Sequence, residues 1–422
     1  MVIRKISYYR VIVSLCLFMF LLSPVFGDEI SAVSFDKELP ENNIVTIQPD
    51  SLRILHNPLT GWVLYASMGV DAADFWAQYD HMYIPELGHN VSVTDYAHTL
   101  YIRASWTDFN PQEDVYGWKI DSNLRAYIEG AYQRNMRLAF RVVVDSRDKR
   151  TEFTPQFVKD AGAKGFMNKG KWSPYSDDSV FQKYYTKFVK ALAKDFNDPS
   201  KVEFIDGFGL GKWGEYHTMI YSTGDDTPKK AVFDWVTDIY SQAFDKVPVV
   251  INYHRWIGAG KDWVDDEHFA ADSEEMLEEA IKKGYSLRHD AFGMTTYYGS
   301  WERRFAKKYR NICPIIMEGG WIVKSHSYWQ DPRGYRKDSH EDVRRGEFDD
   351  SKEAHVNMMD FRFGDTEFWF KDAFDLVRRF LREGGYRLYP SEISLPLEVS
   401  KKTTPTIKHC WNNMGWGYCP TN

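Results

Sequence analysis

The chain has 422 residues, 43% of them hydrophobic and 27% charged, with a net charge of −7 built from well-mixed signs. That balance excludes a disordered chain, and the interspersed charges exclude a polybasic nucleic-acid surface. The length allows two or three ordinary domains, or one large barrel with additions. Aromatic residues make up 16%, including 15 Trp. That is more than a core alone demands, and it suits a protein that stacks flat ligands on exposed rings.

Residues 1–27 read as a secretory signal peptide. Arg4, Lys5 and Arg10 form a basic start, 11–26 is apolar, and small Gly27 closes the segment. The expectation is an exported protein, secreted or periplasmic, free of the membrane once the signal is cut. Cys16 follows Leu15 rather than a small residue, which argues against a lipoprotein site. Residues 28–56 form an N-terminal extension. Cys313 reads as buried packing, and Cys410 and Cys419 could pair in an oxidising compartment.

In chain order, a turn at 57–61 (Asn-Pro-Leu-Thr-Gly) feeds a first strand over 62–66, and 67–97 is an irregular insertion. The second strand, 98–106, alternates Leu100, Ile102 and Ala104 against Tyr101, Arg103 and Ser105. Asp121 opens a helix with Leu124, Tyr127, Ile128 and Ala131 at helical spacing. A third strand covers 137–145, and a long polar loop follows. Ser179 with Gln182 gives a capping box for a helix to 196. The run 202–216 is read as a fourth strand ending in Gly-rich chain and Glu215, with a helix over 233–244. Strand five is 247–254, followed by a helix over 273–283 with an acidic start. Strand six is 287–294, with a helix over 301–309. Strand seven, 312–317, ends abruptly in Glu318, two glycines and Trp321. A helix over 340–359, a short eighth strand at 361–363 and a helix over 368–381 complete the series.

Eight strand–helix pairs predict a (β/α)8 TIM barrel over 57–390 with a short C-terminal β segment. Glu215 and Glu318 are 103 positions apart. Three units of about 34 residues compare with about 31 per unit in a barrel of roughly 250 residues. A doubly wound sheet would also alternate, but no Gly-rich phosphate turn follows the first strand. Both glutamates then fall at strand ends on the face where such barrels build their sites. A buried carboxylate there needs a partner or a task.

Two motifs carry a resemblance. Trp213-Gly214-Glu215 and Met317-Glu318-Gly319-Gly320-Trp321 look like the catalytic motifs of glycoside hydrolase clan A. The segment 105–118, Ser-Trp-Thr-Asp-Phe-Asn-Pro-Gln-Glu-Asp-Val-Tyr-Gly-Trp, is similar to the stretch after strand two in many of these barrels, β-galactosidase-like ones included. The Asn-Pro-Leu-Thr-Gly-Trp start and the Trp-Gly-Glu-Tyr-His block resemble secreted bacterial proteins grouped with the glycosidases. The likeness runs from about residue 57 to 390. It implies a retaining mechanism acting on a carbohydrate, with Glu215 as general acid/base and Glu318 as nucleophile. Arg103 would match the arginine that supports the nucleophile, and Tyr297 or Tyr298 the tyrosine beside it. One departure is Gly214, where most members carry the Asn that contacts the sugar 2-hydroxyl. That places the substrate class in question and admits a loss of activity.

The chemistry fits two glutamates, because retention needs one carboxylate to attack the anomeric carbon and a protonated one to reach the leaving oxygen. Trp106, Trp213, Trp256 and Trp321 fall at or beyond strand ends, where ring faces suit the C–H faces of sugars. Asp145, His217, Asn252 and His254 share the predicted rim and could bind hydroxyls. Asp290 is the alternative partner carboxylate. The twelve histidines are scattered and no metal-ligand spacing occurs, so neither a metal nor another cofactor is expected. Other readings are a catalytically inactive carbohydrate-binding barrel, an inverting glycosidase or a polysaccharide lyase. The loops 67–97, 146–177 and 322–338 are expected to wall the cleft. The last of them carries Trp329, Arg333, Tyr335 and Arg336, a set suited to an acidic or heavily hydroxylated glycan. Residues 391–422 are expected to lie along the barrel as one or two strands, like the opening of a truncated β-sandwich, or else to cap its base. Oligomeric state is not set by the sequence.

Overall fold

The computed structural model describes residues 42–66, 68–147, 151–260, 267–293, 297–320, 340–362, 364–402 and 404–420. The expected signal segment 1–27, Trp321 and the expected cleft loop 322–338 lie outside these residues. Two compact units are present, one formed by 54–386 with 415–420 and one by 42–53 with 387–414.

In the larger unit, sequence order is spatial order. The eight parallel strands are β1 (Gly61–Tyr65), β2 (Ala97–Ser105), β3 (Arg137–Val143), β4 (Val202–Asp206), β5 (Val249–Asn252), β6 (Ser286–Phe292), β7 (Ile315–Gly319) and β8 (Met358–Asp360). Each pairs with the next, and Met358 of β8 sits opposite Gly61 of β1, closing the barrel. The helices that follow the strands in turn are α1 (Ala72–Asp80), α2 (Ser122–Gln133), α3 (Ser179–Phe196), α4 (Lys229–Ala243), α5 (Glu267–Lys282), α6 (Ser300–Tyr309), α7 (His340–Glu353) and α8 (Phe374–Glu383). This is the expected (β/α)8 barrel.

Side chains alternate across each strand, so one set meets the helices and the other fills the interior. On the outside, Trp62 stacks on Phe361 at 4.4 Å between ring centroids and packs edge-on against Trp369 and Phe380. Inside, Leu59, Val63, Tyr65, Tyr101, Ala139, Phe204, Val250, Ile316 and Met358 form one apolar cluster. Two residues further along β3, β4, β7 and β8 the alternating positions hold Arg141, Asp206, Glu318 and Asp360. The barrel is therefore apolar toward its N-terminal face and ionic toward the other.

The structure redraws several boundaries. β4 stops at Asp206, nine residues short of Glu215, because the chain beyond it takes a run of left-handed conformations that no ladder can use. α7 ends at Glu353 and β8 spans 358–360, with His355 at φ 56° breaking the helix between them. Asp178, not Ser179, caps α3 by accepting the Phe181 N–H at 2.9 Å. The insertion 67–97 holds α1 and a hairpin of Met82–Ile84 with His89–Val91. The loop 146–177 holds a hairpin of Gly165–Asn168 with Lys171–Pro174.

The smaller unit is a three-stranded antiparallel sheet of Asn42–Thr46, Leu388–Pro396 and Lys408–Asn413, with Leu388–Pro396 in the middle. Its first strand comes from the N-terminal extension, which the sequence left unassigned. Residues 415–420 belong to the barrel unit and dock at the entrance to β8. There Asn357 exchanges two hydrogen bonds with the Tyr418 backbone, at 2.8 and 3.1 Å, and Trp416 Nε1 donates to the Val356 carbonyl at 3.0 Å. Cys313, Cys410 and Cys419 are free thiols.

Candidate active site

Glu318 is the penultimate residue of β7 and is buried. Its Oε2 accepts from Arg288 Nη2 at 2.7 Å. The same Arg288 nitrogen donates to Asp360 Oδ2 at 2.8 Å, and Arg288 Nε donates to Asp290 Oδ1 at 2.9 Å. Arg141 lies across the barrel with Nη1 2.6 Å from the other Asp290 oxygen and Nε donating to Asp206 Oδ2 at 2.7 Å. Tyr101 donates its hydroxyl to that Asp206 oxygen and lies beneath the Arg288 guanidinium, 4.6 Å from its ring centre. These contacts join β2, β3, β4, β6, β7 and β8 through the barrel interior. Paired ions of this kind cost desolvation and are held by reciprocal hydrogen bonding.

Glu215 reaches the same framework from a different direction. It follows a short 3-10 turn, Lys212–Gly214, in a loop where Gly209, Gly211, Trp213, Gly214, Tyr216 and Thr218 all have positive φ. Three of these six are not glycine, and such conformations persist only where surrounding contacts impose them, most often at functional sites. Three contacts hold the loop here. The Trp213 carbonyl accepts from Arg103 Nη2 at 2.6 Å, and the Glu215 carbonyl accepts from His254 Nε2 at 2.9 Å and Asn252 Nδ2 at 3.5 Å. The Glu215 carboxylate then stands 3.7 Å from Arg141 Nη1, 3.8 Å from Arg103 Nη2 and 3.4 Å from His217 Nε2. Gly214 has φ 76°, and a Cβ there would meet Val143 Cγ2 at 3.2 Å. The backbone at Gly214 thus favours glycine.

The electrostatics follow from the charge count. Arg103, Arg141 and Arg288 face Asp206, Glu215, Asp290, Glu318 and Asp360, so full ionisation would leave excess negative charge in a buried space. Burial, then Asp360 and Asp290, push the Glu318 carboxyl up to about 8. Burial likewise pushes Asp360 up to about 6, against the pull of Arg288 and the Arg362 N–H. Asp290 escapes: although burial opposes it, Arg141 and Arg288 hold its carboxyl well below the usual range.

The remaining expected residues divide. His217, His254 and Tyr297 meet as one aromatic group beside Glu215, with His217 5.6 Å from His254 and 5.8 Å from Tyr297 between ring centres. His254 accepts the Trp256 N–H on Nδ1 while donating from Nε2, which fixes the neutral tautomer, and burial holds its pKa well below the usual value. Trp213 is half-buried, with Lys212 over its ring at 4.3 Å. Five expectations are corrected. Trp106 is 0% exposed and packed among Phe157, Phe181, Tyr185 and Phe188, so it offers no ring face to a ligand. Trp256 is 0% exposed against Ala259, Ala291 and Tyr297. Tyr298 stacks on Phe292 at 4.2 Å in the layer outside the barrel. Asp145 is closed on Arg147 and Ser173, where it fixes its own loop. Arg103 touches Tyr65 and the Glu215 loop, and the arginine bonded to Glu318 is Arg288.

Sequence reasoning missed Arg141, Arg288, Asp206 and Asp360. The signal was present, since charged residues at alternate positions within otherwise apolar strands must face one another inside a closed barrel. Among the described residues, no group of three or more His, Cys, Asp or Glu side chains is placed to hold a metal ion.

No protein-family model matches the chain, and no curated protein matches it by sequence. Solved structures do. An endo-1,4-β-xylanase from Caldicellulosiruptor owensensis is 10% identical, covering 71% of this chain and 84% of its own, with a TM-score of 0.42. The endo-glycoceramidase II from Rhodococcus sp. is 13% identical, covering 79% of each chain, with a TM-score of 0.42. The exo-β-1,4-mannosidase Op5Man5 from Opitutaceae bacterium strain TAV5 is 12% identical, covering 77% of this chain and 55% of its own, with a TM-score of 0.40. Similarity at this level bears on neither substrate nor mechanism.

Proposed function

We propose that this protein is an exported glycoside hydrolase that cleaves a polysaccharide or oligosaccharide with retention, using Glu318 to attack and Glu215 to move the proton. One observation carries the reading. Two carboxylates, Glu318 near the end of β7 and Glu215 in the loop after β4, converge on one arginine framework at the C-terminal face of the barrel. That is the equipment a double displacement needs: an anion held in place to attack, and a second carboxyl beside cations and a histidine to give and retake a proton. The signal segment supports export. Half-buried Trp213 supports recognition of a sugar ring face, while buried His217, Asn252 and Tyr297 pack around Glu215 and its loop.

A second reading exchanges the two roles. It is favoured by the elevated carboxyl of Glu318, since a group near 8 is an acid at neutral pH. Kinetics of Glu215→Ala and Glu318→Ala on aryl glycosides with good and poor leaving groups separate the two. Under our assignment, Glu215→Ala retains activity on the good leaving group, and azide accelerates it to a glycosyl azide of retained configuration. Glu318→Ala is inactive on both unless azide attacks in its place, giving the inverted azide. The opposite pattern would establish the exchange, equal loss on all substrates in both variants would remove both role assignments, and a wild type that hydrolyses no glycoside would remove the hydrolase reading.

A further inference from the structure

Asp360 has no part in the mechanism above, yet it shares a single nitrogen with the attacking group. Arg288 Nη2 lies 2.7 Å from Glu318 Oε2 and 2.8 Å from Asp360 Oδ2, so the separation of those two oxygens is bounded by the sum of the distances. Both residues are buried, and two carboxylates this close in a dry space do not both ionise readily. We propose that Asp360 is a positioning residue that shares one proton with Glu318 across the Arg288 guanidinium, and so sets the pH at which Glu318 is free to attack. The role of Glu318 in attack rests on the hydrolase reading; the sharing of the proton does not.

The geometry also says where the proton resides. Asp360 accepts two hydrogen bonds, from Arg288 on Oδ2 and from the Arg362 N–H on Oδ1 at 2.9 Å, whereas Arg288 is the strong donor to Glu318. Hydrogen bonds to an ionised carboxylate favour that form, so the single proton sits on Glu318 and Asp360 carries the charge. Other groups face Glu318 too. Tyr65 approaches from β1, Arg103 from β2, Arg141 from β3, and Arg288 with Asp290 from β6. Behind β7, Glu347 of α7 lies against Gly319 and pairs with Arg344 at 2.7 Å. Of the carboxylates that face Glu318 from inside the barrel, Asp290 has an arginine bonded to each oxygen. Asp360 has one arginine, and that one is divided with Glu318.

The test is a 13C NMR titration of the carboxyl carbons in protein labelled at Asp and Glu, which requires no turnover. In the wild type, the Glu318 and Asp360 signals should both respond across the same two titration steps, as coupled sites do. In Asp360→Asn the Glu318 midpoint should fall by about one to three pH units, and Asp360→Glu should restore it. With a glycoside substrate, the acid limb of kcat/KM should move down by the same interval in Asp360→Asn. An unmoved Glu318 midpoint in Asp360→Asn, or independent single-site curves in the wild type, would overturn the sharing. Coupled titration in a protein that hydrolyses no glycoside would sink the hydrolase reading and leave the sharing intact.

Discussion

Glu318→Gln should make the protein more stable, by a margin that grows as the pH rises from about 4.5 to 8. The carboxyl is raised from 4.5 to about 8 in the folded chain. A group raised on folding contributes stability that is fully present below its unfolded value and is lost as the pH climbs through its folded one. Between about pH 4.5 and 8 the wild type therefore gives up folding free energy as Glu318 is forced toward ionisation beside Asp360 and Asp290. Three and a half units at 1.36 kcal/mol each set a ceiling of about 5 kcal/mol. Coupling to Asp360 and the extra Gln donor reduce the expected gain to about 2–4 kcal/mol. Gln keeps the carbonyl that accepts from Arg288 and cannot ionise. At about 2 °C per kcal/mol for a large domain, the variant should melt about 4–8 °C above wild type at pH 8.5 and within a degree or two of it at pH 5. Thermal melts and urea titrations at the two pH values decide the matter. A gain of equal size at pH 5, or none at pH 8.5, would refute the claim that the site strains Glu318 by burying it beside Asp360 and Asp290.

Two further variants separate packing from chemistry. Trp106→Ala should cost about 3–5 kcal/mol of stability, read by chemical unfolding, because it empties a site enclosed by Phe157, Phe181, Tyr185 and Phe188. KM of the surviving folded protein should not change, and a several-fold rise in KM would return Trp106 to the cleft. Arg103→Lys keeps the charge but loses the fork that spans the Tyr65 hydroxyl and the Trp213 carbonyl. It should lower kcat about tenfold or more on substrates with poor leaving groups while shifting Tm by no more than about 3 °C.

The barrel was legible in the sequence because a strand buried on both sides and a helix with one apolar face have different periods, and eight repeats of that switch leave few architectures. The end of β4 was not. The apolar run Val-Glu-Phe-Ile-Asp and the Gly-rich chain after it look continuous in sequence, and only the positive φ values from Gly209 onward show that the ladder stops at Asp206. The two glutamates could be found because each follows an apolar run in sequence and stands against glycine. Their supports were legible only in part: charges at alternate positions of apolar strands point to an ionic interior, but which of them pair, as Arg288 does with Asp360, is set by side chains opposite in space and by no local pattern. Trp106 misled because position at a strand end says nothing about which side of the barrel wall a ring occupies. Of the last described residues, 408–413 form an edge strand of the smaller unit's sheet and 415–420 dock on the entrance to β8.

The most direct test of the account is covalent trapping of the attacking residue. Incubation with an activated 2-deoxy-2-fluoro glycoside of a hydrolysed sugar slows turnover of the intermediate, and peptide mass spectrometry then locates the label. The account predicts one glycosyl group per chain, esterified to Glu318 in the peptide that contains Met317-Glu318-Gly319, together with a product of retained anomeric configuration by NMR. A label on Glu215 or Asp290, or an inverted product with no label at all, would contradict it.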